Sequence, residues 1–223
     1  KDYNGYKVYN EHGSQILEDM AESVQSAMKE VDFDEVSITD TNDALLKIID
    51  DEYYVPNQPF FEQLGKGLSE LSGGYIFIEG LPGVGKSTAL TKFKEQQLDI
   101  TLAYYCFIPD VKNDFGEFRH QSYYFLKSLC IAIEKSFPEV DLPSKYSERY
   151  EEKLSSYIKK LSTLKKKIIF IIDGLDHVHR DTTLGEKSLL NYIKGDLPDN
   201  IYFILSSQYD TVLSPSVKLQ IDS

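Results

Sequence analysis

The sequence predicts an α/β fold in which helices cover both faces of a mainly parallel sheet. Short apolar runs recur at wide intervals along the chain, and stretches with helical periodicity separate them. Because each run is apolar throughout, each predicted strand is buried on both faces, as strands of parallel sheets are. These observations predict a three-layer α/β/α core preceded by a short helical acidic segment.

The acidic segment occupies the first 52 residues. Residues 11–52 contain thirteen Asp or Glu but only two Lys, which accounts for nearly all of the net charge of −12. Apolar side chains at three- and four-residue spacing predict an amphipathic helix over 14–31, and a shorter helix is expected over 41–49. Pro56 and Pro59 then mark a break, so we divide the chain into residues 1–52 and 53–223.

The rest of the chain alternates predicted helices with predicted strands. A first helix over 60–71 ends at two glycines, Gly73 and Gly74. Four strands are expected, at residues 75–79, 101–108, 168–172 and 201–205. Further helices are expected at residues 86–97, 117–137, 147–164 and 184–194.

Composition argues against several classes of protein. The pI near 4.8 disfavours a nucleic acid or an anionic membrane as partner, because such binding needs many Lys and Arg on one surface. The longest aliphatic or aromatic run has five residues, far fewer than a membrane span requires. Cys106 and Cys130 lie far apart, so we expect free buried thiols rather than a disulfide or zinc site. Because the chain opens on Lys1 without an apolar signal core, we interpret it as a piece of a longer protein.

A glycine-rich motif directly after the first predicted strand is the most informative feature. It fits G-x-x-x-x-G-K-[ST] and reads Gly80-Leu81-Pro82-Gly83-Val84-Gly85-Lys86-Ser87-Thr88. Its glycines let successive backbone N–H groups point at phosphate oxygens at a helix N-terminus. Lys86 would reach the β- and γ-phosphates, and the Ser87 hydroxyl would ligate Mg²⁺. The motif therefore predicts a P-loop NTPase core that binds a nucleotide with Mg²⁺.

Polar residues after two later strands complete the predicted site. Asp173 ends the apolar run 168–172, where a carboxylate would help to hold Mg²⁺. Asp176 would orient or activate the attacking water, the alternative being a loop cap. Gln208 follows the strand 201–205 and would sense the γ-phosphate, the alternative being a plain surface residue. His177 and His179 also suggest a transition-metal site, which is disfavoured because no third ligand stands at metal spacing.

The glycine-rich motif and the run 169–177 together resemble the STAND class of P-loop NTPases, and within it the NACHT-like branch. In that branch a small residue follows the metal-binding acid and a further acid lies three positions after it, as Gly174 and Asp176 do here. The run 174–178 is also similar to bacterial members that act in anti-phage defence. The resemblance covers about residues 53–208. This chain departs from the family at His177, where a second acid is common, and at Gln208, where an Arg is common.

The resemblance implies a cytoplasmic switch that binds ATP or ADP and hydrolyses ATP slowly. Such a switch would self-associate through the NTPase domain, with an effector domain N-terminal to it and a sensor domain C-terminal to it. Residues 1–52 would then be a linker or the end of the effector domain. Tyr54, Val55 and Pro56 occupy the place where family members contact adenine. ATP is favoured over GTP because no Asn-Lys-x-Asp segment follows the loop.

Two other functions remain open. A P-loop small-molecule phosphotransferase would need an acceptor pocket and a lid that is often rich in Arg, whereas the chain contains three Arg. A scaffold that binds nucleotide without turnover is compatible with His177 and Gln208.

Overall fold

The structure is a computed structural model that describes residues 54–97, 100–107, 119–142, 149–178, 188–193, 196–210 and 213–221. The chain divides into two compact units, residues 1–39 and 40–223, and every described residue lies in the second. The two helices expected in the acidic segment lie outside the described residues. They and the division at residue 52 stay predictions.

Helices and strands alternate along the described chain. In order, they are α1 (Gln58–Glu70), β1 (Gly74–Glu79), α2 (Lys86–Gln96), β2 (Ile100–Tyr105), α3 (Ser122–Ser136), α4 (Tyr150–Leu161), β3 (Ile168–Asp173), β4 (Ile201–Ser207) and α5 (Pro215–Ile221). Single 3₁₀ turns occur at Leu175–His177 and Leu189–Tyr192.

The four strands form one sheet in the order β1-β4-β3-β2, and every pair of neighbours is parallel. All six residues of β3 and all seven of β4 are buried, as apolar strands covered on both faces must be. The α/β fold that the sequence predicts is therefore confirmed.

Helices pack on both faces of the sheet because successive strand residues point to opposite sides. One face packs against α1 and α2, and its buried residues are Leu64, Leu68, Leu90, Phe93, Ile169, Ile171, Tyr202 and Ile204. The other face carries the larger cluster, in which residues of α3 and α4 such as Phe125, Leu129 and Tyr157 cover Phe170 and Phe203. The Phe170 and Phe203 rings stack with their centroids 4.9 Å apart.

Hydrogen bonds attach the end of α1 to the sheet. The Asn57 side chain caps the start of this helix by accepting from the backbone N–H of Phe60 at 3.2 Å. At its other end, the Tyr202 hydroxyl donates to the carbonyl of Leu71 at 2.7 Å, and the Lys167 ammonium donates to the carbonyl of Leu68. These bonds satisfy carbonyls that the helix itself leaves without partners.

Several predicted elements differ from the structure in their bounds. The helix expected over 117–137 begins at Ser122, and the helix expected over 147–164 covers Tyr150–Leu161. Among the described residues, the strand expected over 101–108 pairs as far as Tyr105, because β3 turns away at Gly174, whose φ is 77°; position 108 lies outside those residues. The backbone N–H of Cys106 makes the last bond of this edge, to the carbonyl of Asp173 at 2.9 Å. In the region expected to be helical over 184–194, residues 188–193 contain the 3₁₀ turn Leu189–Tyr192, and the other positions lie outside the described residues.

Both cysteines are free and buried, as the sequence predicts. Burial raises the pKa of the Cys106 thiol, and the neighbouring Asp173 charge raises it further. Burial also raises the pKa of the Cys130 thiol, to about 12. Both groups are therefore protonated thiols at neutral pH. Among the helices of the described ranges, none has the length and apolar character needed to cross a membrane.

Candidate functional site

The candidate site lies where the carboxyl ends of β1, β3 and β4 meet, the edge at which parallel α/β sheets bind ligands. The glycine-rich loop follows β1, and Asp173 is the last residue of β3. Ser206 and Ser207 end β4, with Gln208 next to them. The strand order places β4 between β1 and β3, so all three tips contribute to one edge.

The glycine-rich loop leads into α2 through a left-handed residue. Gly85 has φ 89° and ψ 19°, a conformation that glycine adopts without steric cost. Among the described residues, no side chain caps the start of α2. A Cβ added at Gly85 would meet no atom of those residues within 4 Å. The positive φ, rather than crowding by protein atoms, therefore requires glycine here, and the open space beside it is the predicted phosphate cradle.

The Lys86 side chain lies across this loop. Its ammonium donates to the carbonyls of Gly80 and Leu81, at 2.6 and 3.1 Å. A Cβ added at Gly80 would stand 3.2 Å from Val84 Cγ2 and 3.5 Å from Lys86 Cδ. The absence of a side chain at Gly80 therefore lets the lysine stem pass close to the backbone.

Asp173 is buried, with 3% of its surface exposed. The Ser206 hydroxyl donates to its Oδ1. Burial raises the pKa of Asp173, while the Ser206 and Ser87 hydroxyls and the Lys86 charge lower it. A carboxylate held in a buried position beside a serine hydroxyl supplies the oxygen ligands that Mg²⁺ prefers. The residues of this site therefore fit Mg²⁺ bound together with a nucleotide.

Asp176 and Gln208, which the sequence places in two separate segments, are in direct contact. The side-chain Nε2 of Gln208 donates to Asp176 Oδ2 at 2.6 Å, and its backbone N–H donates to Asp176 Oδ1 at 3.2 Å. Both carboxylate oxygens are thus occupied, and only 7% of the Asp176 side chain is exposed. His177 Nε2 lies 3.6 Å from Oδ2, and its ring stacks on Phe107 with centroids 4.5 Å apart.

A cavity of about 390 Å³ adjoins the start of α2. Tyr54 and Val55 line it together with Val84, Gly85, Lys86 and Thr88, and apolar side chains such as Phe60 and Ile78 complete its wall. Pro56 is exposed and does not line this cavity. Adenine contact through Tyr54, Val55 and Pro56 stays a prediction, for which the cavity offers an apolar surface beside the loop at the first two positions.

Ser206 is a residue at this edge to which sequence reasoning assigned no role of its own beyond its place in the polar segment 206–208. Its hydroxyl stands at a position that alternates with Tyr202 and Ile204, so it lies on the same face of the sheet as Asp173. That placement depends on β3 and β4 being neighbours, which the sequence does not state. A polar residue in an otherwise apolar buried strand was the available signal.

The transition-metal alternative receives no support from the described residues. Within the described ranges, no group of three or more His, Cys, Asp or Glu side chains is placed to hold a metal ion. His179, one of its two histidines, lies outside those ranges.

Three solved structures are similar to this chain at low identity. Drosophila ORC bound to DNA is 12% identical, with a TM-score of 0.47 over 74% of this chain and 85% of that chain. The Aeropyrum pernix Orc1 protein in complex with DNA is 15% identical, with a TM-score of 0.44 over 75% of this chain and 44% of that chain. Cdc6p from Pyrobaculum aerophilum is 18% identical, with a TM-score of 0.48 over 78% of this chain and 47% of that chain. This chain thus spans less than half the length of the two archaeal proteins.

Comparison with curated proteins gave no match. Comparison with protein families did: the model described as the KAP family P-loop domain matches residues 89–214, more than half of the chain. The match begins directly after the glycine-rich loop and includes β2, β3 and β4. With the parallel four-stranded sheet, it identifies an α/β P-loop NTPase fold. The chain therefore belongs to the KAP family of P-loop NTPases.

Proposed function

We propose that this chain is the ATP-binding switch module of a multidomain signalling or defence protein. The observation that carries the proposal is the position of the buried Asp173 at the tip of β3, at the same sheet edge as the glycine-rich loop that follows β1 and its Lys86. Membership of the KAP family supports nucleotide binding. The STAND and NACHT-like assignment, the cytoplasmic location and the role in defence rest on the sequence resemblance.

In this proposal each residue of the site has one task. The backbone N–H groups of the loop and the Lys86 ammonium bind the phosphates. Ser87 and Asp173 hold Mg²⁺, which neutralises phosphate charge when bound. Tyr54 and Val55 face the base. Asp176 orients the attacking water, and Gln208 responds to the γ-phosphate.

The contact between Asp176 and Gln208 supports slow turnover. Gln208 occupies one acceptor site on each oxygen of Asp176, and only 7% of the Asp176 side chain is exposed, so this arrangement limits the approach of a water to the carboxylate. In the proposal, a γ-phosphate competes for the Gln208 amide and thereby frees Asp176. ATP and ADP then stabilise two arrangements of these side chains unequally, which is the thermodynamic requirement of a switch. Self-association and signalling to an N-terminal effector domain from a C-terminal sensor domain follow from the resemblance.

The same contact favours one second candidate, a nucleotide-binding scaffold without turnover. If Gln208 stays on Asp176 when ATP is bound, the one residue to which the proposal gives the task of orienting water remains restrained. The two candidates differ in one measurement, the rate of phosphate release from Mg-ATP. The proposal expects slow release that Asp176→Asn reduces further while ATP still binds, whereas a scaffold releases no phosphate before or after that substitution.

Thermal unfolding with and without nucleotide tests the binding claim. Ligand at 100 times its Kd stabilises the folded state by about 2.7 kcal/mol, which raises the Tm of a domain of this size by roughly 5–10 °C. We expect that shift with Mg-ATP and Mg-ADP, a smaller one with Mg-GTP, and none for Lys86→Ala.

Lys66→Ala is the matched control, because it removes the same charge from an exposed position on α1. It should respond to nucleotide as the parent does. If Mg-ATP and Mg-ADP leave the Tm of the parent chain unchanged, the binding claim is wrong.

A further inference from the structure

The hydroxyl of Ser206 joins two backbone segments at the candidate site. Ser206 is fully buried at the end of β4, and its Oγ accepts from the backbone N–H of Gly174 at 3.1 Å. A backbone N–H can only donate, so the Ser206 oxygen is the acceptor of this bond and its single hydrogen remains available. That hydrogen is donated to Asp173 Oδ1. The two bonds therefore fix the orientation of the hydroxyl.

This arrangement positions both predicted carboxylates of the site. The bond to Oδ1 restricts rotation of the Asp173 side chain directly. The bond from the Gly174 N–H holds Gly174 itself in place. This left-handed residue stands between the end of β3 and the 3₁₀ turn Leu175–His177. Asp176 lies in that turn, so Ser206 acts on it through the backbone.

The neighbouring residue, Ser207, differs from Ser206 in its hydrogen bonding. Ser207 is as completely buried as Ser206, yet no hydrogen-bond partner for its hydroxyl lies in the parts of the chain that the structure describes. Buried hydroxyls normally have partners, so the two serines differ in what their side chains do and not in exposure. Ser207 alternates with Phe203 and Leu205 on the opposite face of the sheet, so of the two hydroxyls only that of Ser206 reaches Asp173.

We propose that Ser206 is a positioning residue for the divalent cation: it holds the Asp173 carboxylate in the orientation that binds Mg²⁺ next to Ser87. The inference rests on the proposed nucleotide function and extends it to a residue that does not itself touch the metal. Groups that orient a metal ligand typically change metal affinity by about 10- to 100-fold when they are removed.

The test measures metal binding rather than turnover. Mn²⁺ serves as the probe. Its binding to the full chain in the presence of saturating ADP is measured by electron paramagnetic resonance, in which the signal of free Mn²⁺ decreases as the ion binds. We expect Ser206→Ala to raise the Mn²⁺ Kd by about 10- to 100-fold. Affinity for ADP in EDTA should not change, because the loop and Lys86 bind phosphate without Ser206. Ser206→Thr keeps the hydroxyl and should restore Mn²⁺ binding.

Ser207→Ala is the matched control and should bind Mn²⁺ as the parent does. If Ser206→Ala unfolds at the assay temperature, Ser206→Thr and Ser206→Val replace the comparison, since their side chains have nearly the same shape and differ by the hydroxyl. Equal Mn²⁺ affinity with and without the hydroxyl, in a parent that binds Mn²⁺ with ADP, overturns the role of Ser206 alone. A parent that binds no Mn²⁺ with ADP overturns the proposed function and this inference together.

Discussion

The contact between Asp176 and Gln208 can be tested by exchanging its donors and acceptors. Asp176 accepts two hydrogen bonds, one from the backbone N–H and one from the side-chain amide of Gln208. Asp176→Asn leaves one acceptor for these two donors: its amide oxygen can accept from the backbone N–H, and the Gln208 amide must then turn over so that its oxygen faces the new NH₂. A hydrogen bond to a charged group contributes about 1.5–3 kcal/mol and a neutral one about 1 kcal/mol, so we expect the free energy of unfolding to fall by roughly 1 kcal/mol.

Gln208→Glu alone should also destabilise the fold, because it places a second carboxylate against Asp176. The double variant Asp176→Asn with Gln208→Glu restores complementarity: the amide oxygen at 176 accepts the backbone bond, and its NH₂ donates to the new carboxylate at 208. The loss in the double variant should therefore be smaller than the sum of the two single losses, with a coupling of at least about 1 kcal/mol.

Urea denaturation followed by far-UV circular dichroism measures these values, since the chain contains no Trp for fluorescence. Gln97→Glu, at the opposite end of α2 from Lys86, is the control partner, and its loss should add to that of Asp176→Asn. Simple additivity for the 176–208 pair would refute the contact, and with it the argument that Gln208 restrains Asp176.

Two further predictions concern Gly85 and a pair of tyrosines. Gly85→Ala should lower the free energy of unfolding by only about 1–2 kcal/mol, the cost of a left-handed Ala. It should weaken ADP binding, measured by calorimetry, by more than that, because the added Cβ enters the predicted phosphate cradle. An unchanged ADP affinity would contradict the position of the cradle. Tyr202→Phe should lose about 1 kcal/mol in urea denaturation, because the Leu71 carbonyl loses a buried donor, whereas Tyr54→Phe should lose none, since its buried hydroxyl has no partner among the described residues. Equal losses for the two tyrosines would contradict this reasoning.

The apolar runs were sufficient to predict the sheet. Ile168–Asp173 and Ile201–Ser207 include the strands expected from sequence, because a run buried on both faces needs no partner information to be recognised. The loop at 80–88 was equally predictable from the sequence, since its spacing reflects local backbone geometry. The ends of strands were harder to predict: β2 ends at Tyr105 because its neighbour β3 ends beside it.

Contacts between the strand tips could not be derived from the sequence. Asp176 and Gln208 belong to segments 32 positions apart, and they meet only because β3 and β4 are adjacent in the sheet. The position of Ser206 beside Asp173 depends on the same adjacency. Strand order is a property of tertiary packing, and apolar periodicity carries no information about it.

The state of the two cysteines has a practical consequence for following the proposed switch. Cys106 and Cys130 are the only cysteines of the chain, and both are buried thiols with raised pKa values, so they react slowly with maleimides at neutral pH. A single cysteine introduced at Val55 beside the cavity, or at Leu219 on α5, would stand on the surface as the one reactive thiol. A fluorophore attached there reports nucleotide-dependent movement in the otherwise native sequence, without first replacing either core cysteine.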